Sequence, residues 1–164
     1  MNWKEQIKKE AVDWLLEEED PGARYLALRD LCQLTEEDET LRKARQAAHR
    51  HGPIATILEN MNDEGYWVEP GPGYNPKYKS TVWALIFLAQ LGASVHEDPR
   101  IEQACRYLLK YGLASGGQFT ASGAPSGTAD CMQGNLSWAL LELGYEDPRL
   151  DTAFESIART VTGE

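Results

Sequence analysis

Apolar residues recur along this chain at steps of three and four. Trp3, Ile7, Ala11, Trp14 and Leu15 form one stripe. Ile101, Ala104, Cys105, Leu108 and Leu109 form a second, and Leu150, Ala153, Phe154, Ile157 and Val161 a third. Such spacing lines up side chains on one face of a helix. The run VWALIFLA, residues 82–89, is apolar on every side, and on pattern alone it fits a buried strand or a buried helix. Punctuation decides for helix. Gly92 and Gly144 follow Leu91 and Leu143 where two helices should stop, because glycine enters the left-handed conformation cheaply. Asp20-Pro21, Asp98-Pro99 and Asp147-Pro148 read as three helix starts, with the carboxylate capping free N–H groups and proline in the first helical position. No sustained alternation and no Asn-Gly hairpin signal interrupts this grammar, so the pattern predicts an all-α chain.

The grammar repeats. Gly65-Tyr66-Trp67 is matched by Gly117-Gln118-Phe119, and Leu91-Gly92 by Leu143-Gly144, each about 52 positions on. DPRIEQA and DPRLDTA then open the second helix of each unit. Each repeat therefore reads as a glycine–aromatic loop, a long connection, an apolar helix ending in Leu-Gly, a short turn and an amphipathic helix. The first helix of each pair should be enclosed by neighbours, and the second should keep a wet face. An inner and an outer ring of helices satisfies both demands, as does a stacked solenoid. Residues 1–60 lack the glycine–aromatic signature. DPGARYLALRDL, ETLRKARQAAHR and PIATILENM read there as three further helices, a cap or a degenerate repeat. Residues 61–164 carry the two hairpin repeats, and the whole is expected to form one continuous domain. DPGARYLALRDL also has the character of a HEAT-type helix, which leaves a scaffold of that kind open.

Composition narrows the function classes. At 164 residues one sizeable core is affordable, and a net charge of −10 without any basic block argues against a nucleic-acid backbone as partner. Cys32, Cys105 and Cys131 are odd in number and show no C-x-x-C spacing, which reads as reduced thiols in a cytoplasmic protein. The opening MNWKEQIKKEAVDWLL is an amphipathic helix rather than a signal core, and the longest apolar run falls far short of the roughly 20 residues needed to span a bilayer.

GYW and GGQF ahead of helices, in hairpins of about this length, resemble the α/α toroid of terpene cyclases and protein prenyltransferase β subunits. TADCMQGNLSWALLEL, residues 128–143, is similar to the segment carrying the catalytic acid in oxidosqualene cyclases. KYKSTVWALIFLAQLGA and CMQGNLSWALLELGYEDPRL resemble small bacterial squalene-cyclase-like proteins. The likeness covers roughly residues 60–160. It implies helical hairpins forming part of an α/α toroid, an inner cavity for a hydrophobic or isoprenoid small molecule, and Asp130 as general acid. Three departures stand beside it. The Asp-x-Asp-Asp acid motif is absent. His49, His51 and His96 all precede Cys131, so the prenyltransferase zinc set lacks its later histidine, and neither a metal nor a cofactor is expected. The two legible hairpins make an incomplete ring, which implies missing C-terminal repeats or a homo-oligomer that covers the open end.

Candidate site residues follow, each with a plainer reading. The loop at 70–76 matches no phosphate-binding glycine pattern, and Trp67 reads as a plug between hairpins, as Phe119 does one repeat later. Lys77 and Lys79 stand ahead of an apolar helix start near Ser80. They could receive an anion together with free N–H groups, or be solvated loop lysines. Asp130 is the candidate acid or an N-cap, and Cys131 its thiol neighbour or a small core residue. Trp83, Asn135 and Trp138 are candidate cavity lining or ordinary packing. His49 and His51 point to different helix faces and read as a solvated helix end rather than a metal site. The functional readings are therefore an apolar-ligand-binding toroid domain, a cyclase-like enzyme using Asp130, and a HEAT-like interaction scaffold.

Overall fold

The computed structural model describes residues 9–163, so Trp3 and Ile7 of the first stripe lie outside the described residues. The chain is all-α. In order it forms α1 (Lys9–Leu15), α2 (Pro21–Leu26), α3 (Glu39–Arg50), α4 (Pro53–Glu59), α5 (Thr81–Gln90), α6 (Pro99–Tyr111), α7 (Asp130–Glu142) and α8 (Arg149–Thr162). Among the described residues β pairing is limited to an isolated bridge between Leu113 and Phe119. No described helix is long and apolar enough to cross a membrane. The chain divides into two compact units, Met1–Thr56 and Ile57–Glu164, with the division inside α4.

In the first unit Asp20 caps α2 by accepting from the N–H groups of Gly22 and Ala23 at 3.1 and 3.0 Å. A π-helical turn, Ala27–Leu31, continues α2. α3 begins at Asp38, which accepts from Thr40 N–H at 2.7 Å, and it packs on α2 through a buried stripe of Leu41, Ala44, Ala48 and His49. His49 therefore corrects the expectation of a solvated helix end. It falls in phase with the core stripe, and its Nδ1 lies 2.8 Å from the Arg45 carbonyl oxygen. His51, just past the helix, is exposed.

The second unit holds the two hairpins, α5–α6 and α7–α8, with α5 packed against α7, α6 against α5, and α8 against α7. Both second helices open on the same local device. Asp98 accepts from the Arg100 N–H at 2.9 Å and pairs with its guanidinium at 2.7 Å; Asp147 does the same for Arg149 at 2.9 and 2.7 Å. Both first helices end alike, with Gly92 and Gly144 at φ 75 and 73, where a side chain would be strained. The glycine–aromatic loops also correspond. A Cβ on Gly65 would sit 3.0 Å from the Gln103 carbonyl oxygen of α6, and one on Gly117 would sit 2.4 Å from the Thr152 carbonyl oxygen of α8. Each loop thus lies against the second helix of its pair.

Trp67 and Phe119 are buried at the centre of these junctions. The Trp67 indole donates to the Ile57 carbonyl at 2.7 Å, and its backbone N–H donates to Thr81 Oγ1 at 3.1 Å. Phe119 is held by Gln133, the residue 52 positions beyond Thr81: the Phe119 N–H donates to Oε1 and the Phe119 carbonyl accepts from Nε2, both at 2.7 Å. The loop aromatics are structural plugs, and the residue that fixes each stands at the same place in the first helix of its pair.

Candidate functional site

α5 and α7 occupy equivalent places in the two repeats, yet their surroundings differ. On α5 the side chains of Val82, Ile86 and Ala89 are 1%, 6% and 1% exposed. The positions 52 residues on are Gly134, Trp138 and Leu141 of α7, and all three are exposed, Trp138 at 43% and Leu141 at 59%. Cys131 and Asn135 share that exposed stripe, at helical spacing. The expectation that the first helix of each pair is enclosed holds for α5 and fails for α7. α5 has its hairpin partner α6 and the first helix of the next pair, α7, beside it, whereas α7 has α5 and α8 and, among the described residues, no helix of a following pair.

A groove opens beside the same face. About 740 Å³ in volume, it lies between the 116–130 connection, the start of α7 and the second half of α8. Gln118, Asp130, Gln133, Ile157, Arg159 and Val161 are among its walls. Asp130 stands in the first turn of α7, exposed at the groove, while the helix N-cap is Ala129, which has no side chain to cap with. Arg159 is engaged with Glu155 at 3.1 Å. The second glycine–aromatic loop turns back at the end of α6, where the Thr120 N–H donates to the Gly112 carbonyl at 2.8 Å.

Lys77 and Trp83 share a separate aromatic cluster at the start of α5, with Lys79 in the same loop. The Trp83 indole donates to the Tyr74 carbonyl at 2.9 Å, its ring packs at a tilt against Tyr78 at 4.6 Å and Tyr74 at 5.6 Å, and the Lys77 ammonium lies 5.5 Å from the Tyr74 ring centre. Both lysines are exposed. The helix start behind them is already partly satisfied, because the Gly73 carbonyl accepts from the Val82 N–H at 3.0 Å and from Ser80 Oγ at 2.7 Å. An anion there would compete with the loop's own backbone. The loop does close down on the helix: a Cβ on Gly73 would sit 2.6 Å from Thr81 Cβ.

The sequence-predicted residues therefore fall into three places. Lys77 and Trp83 share the aromatic cluster, with Lys79 exposed in the same loop; Asp130 edges the groove; and Cys131, Asn135 and Trp138 lie on the open face of α7. Tyr74 and Tyr78 escaped sequence reasoning because nothing in a glycine- and proline-rich loop signals an aromatic cluster. Gly134 and Leu141 escaped it as well, although their 52-residue offset from buried α5 positions could have marked them. Cys105 is buried, and burial pushes its thiol far above the ordinary range, which leaves it unreactive. Among the described residues no group of three or more His, Cys, Asp or Glu side chains could hold a metal ion. Comparison with protein-family models, with curated proteins and with solved structures finds no match to this chain.

Proposed function

We propose that this protein is a helical-repeat binding module whose working surface is the open face of α7 with the adjoining groove. The observation that carries this reading is the contrast between equivalent positions. Val82, Ile86 and Ala89 are buried where an inner helix follows, and Gly134, Trp138 and Leu141 are exposed where none does. What fits such a face is another helix of the same kind, packed on α7 as α7 packs on α5. Continuation of this stacking, with α5 and α7 inside and α6 and α8 outside, leads to the α/α-toroid arrangement suggested by the sequence. Asp130 supports binding rather than proton-donor chemistry, because alkene protonation calls for a carboxyl group enclosed away from water and this one is exposed.

The test is to add a further hairpin by repeating residues 113–164 in tandem after Glu164, which keeps the 52-residue spacing. The added segment should fold, raise the thermal midpoint and shield the Trp138 indole from acrylamide quenching, read against a Trp138→Phe control. An added hairpin that stays unfolded, or that leaves Trp138 as accessible as before, overturns the reading.

The groove itself favours a second reading, an amphiphilic ligand of isoprenoid type. Its volume of about 740 Å³ lies in the range of small-molecule sites, and Ile157 and Val161 offer apolar wall beside Asp130. With Asp130 at the groove and Lys77 and Lys79 in a different loop, a neutral head group is favoured over a diphosphate. Farnesol should then raise the thermal midpoint more than farnesyl diphosphate does, and the gain should vanish in Ile157→Glu. A flat response to both compounds sinks this reading.

A further inference from the structure

The open face of α7 has a symmetry of its own. Its exposed positions are Cys131, Gly134, Asn135, Trp138 and Leu141, with Asp130 and Glu142 at the two ends. Reflected about residue 136, they pair large with small: Trp138 with Gly134 and Leu141 with Cys131. A Cβ on Gly134 would meet nothing within 4 Å, so the helix surface there is an open notch one turn away from a projecting indole. Two identical faces of this kind fit each other antiparallel across a two-fold axis, which is the commonest symmetry of protein pairs.

Resting on the reading of α7 as an open docking face, we propose that its occupant is a second copy of this chain, joined in an antiparallel α7–α7 pair. Each Trp138 enters the notch above the other copy's Gly134. Each Leu141 covers the other copy's Cys131. The two Asn135 amides meet beside the axis, where each can donate to the other's carbonyl oxygen. The internal α5–α7 contact is the precedent, since there too one inner helix lies on another. A second copy cannot offer α5 in the same way, because the α5 side chains at the matching places are already buried. That leaves α7 as the inner helix available for pairing, and the twofold arrangement follows.

The ends of the pair add a signature. Asp130 of one copy faces Glu142 of the other, twice, and each chain carries a net charge of −10. Like charges at the rim and at long range oppose association, and added salt screens them. Salt should therefore strengthen this dimer, the reverse of an interface held by ion pairs. α7 has 13 residues and is only about 20 Å long, so the contact belongs with the small, transient interfaces rather than the obligate ones.

Sedimentation velocity on the whole chain, from about 10 µM to about 1 mM, should show a monomer–dimer equilibrium in the range of weak interfaces that shifts toward dimer as salt is added. Gly134→Gln fills the notch on a solvent-facing turn where the fold has space, so it should remain folded and lose the dimer. Trp138→Ala should lose it too. Register is read by oxidation with copper–phenanthroline under air. In a Cys32→Ser background, Leu141→Cys should give covalent dimers through Cys131 of the other copy, whereas Cys32→Ser alone should give few. A chain that stays monomeric at every salt and concentration, a Gly134→Gln variant that dimerises like the parent, or equal cross-linking without Leu141→Cys overturns the proposal. The tandem-hairpin protein separates the two failures: a monomeric parent in which an appended hairpin still shields Trp138 removes the second copy as occupant but leaves the docking face standing.

Discussion

Gln133 is the most exacting place to perturb this fold, because it holds a buried loop by two bonds from a single side chain. Its amide satisfies both the N–H and the carbonyl of Phe119 at 2.7 Å each, and the Phe119 side chain is fully buried. Gln133→Leu keeps an apolar side chain of similar bulk and removes both partners. Two net hydrogen bonds at about 1 kcal/mol each give a loss of about 2 kcal/mol, rising toward about 4 kcal/mol if both backbone groups stay dry. Gln133→Thr places at this site the residue type that stands at position 81, where one hydroxyl serves one backbone N–H. It should recover about half of the loss. Urea unfolding followed by circular dichroism is the assay, and with a slope of about 2 kcal/mol/M the midpoint should fall by about 1 M for Gln133→Leu. If the midpoint moves by less than about 0.3 M, the bracket is not what holds the glycine–aromatic loop. Wider consequences drawn from the repeat would then need another basis.

Three further outcomes are expected. Alanine at Gly117 should destabilise more than alanine at Gly65, and both more than alanine at Gly144. All three sit at positive φ, but the new Cβ would stand 2.4 Å and 3.0 Å from carbonyl oxygens at the first two, and no closer than 3.5 Å to a His96 ring atom at the third. Gly144→Ala should cost about 1 kcal/mol and Gly117→Ala more than about 2 kcal/mol, ranked by thermal midpoint; any other order refutes the packing account. The Arg149 guanidinium holds the Asp147 carboxyl well below the usual carboxylate range, so its contribution to stability is in full force above about pH 4 and is lost as pH falls through the folded-state value. Asp147→Asn should therefore be less stable than the parent near neutrality, with the gap closing in strong acid, and a gap that widens there would refute the pairing. In dilute native protein a thiol reagent should modify Cys32 and Cys131 quickly and Cys105 only on unfolding; rapid reaction of all three would contradict the burial of α6.

What the sequence made legible was the part written in neighbouring residues. Asp-Pro-Arg names a helix start, because the aspartate, the next free N–H groups and the arginine lie within one turn of each other. Leu-Gly names a helix end for the same local reason. The 52-residue echo of glycine–aromatic and Leu-Gly could be seen without any structure, and with it the hairpin order. What stayed hidden depends on phase or on distant partners. α7 reads as apolar all round because its open stripe is made of Cys131, Gly134, Asn135, Trp138 and Leu141, among which no charge announces a wet face. His49 reads as solvated until the phase of α3 is known. The lysines ahead of α5 suggested an anion cradle because no pattern shows the Gly73 carbonyl folding back onto the helix start. The groove beside Asp130 needs three segments brought together from positions 116 to 161, and no local rule assembles those.

The order of packing, α6 on α5, α5 on α7 and α7 on α8, has a consequence for how the molecule comes apart. Each helix leans on its immediate neighbours, so cohesion within the second unit resembles a chain of links rather than a single knot. α5, with α6 on one side and α7 on the other, is the link hardest to release, whereas α8, held by α7 and the Gly117 loop at the end of the series, opens more readily. Amide protons of α8 should therefore exchange with solvent in brief local openings, while those of α5 wait for the whole unit to unfold. A partner seated beside α7 need only slow the opening of the last link to be registered, and deuterium uptake along α8 would report its arrival even where affinity is low.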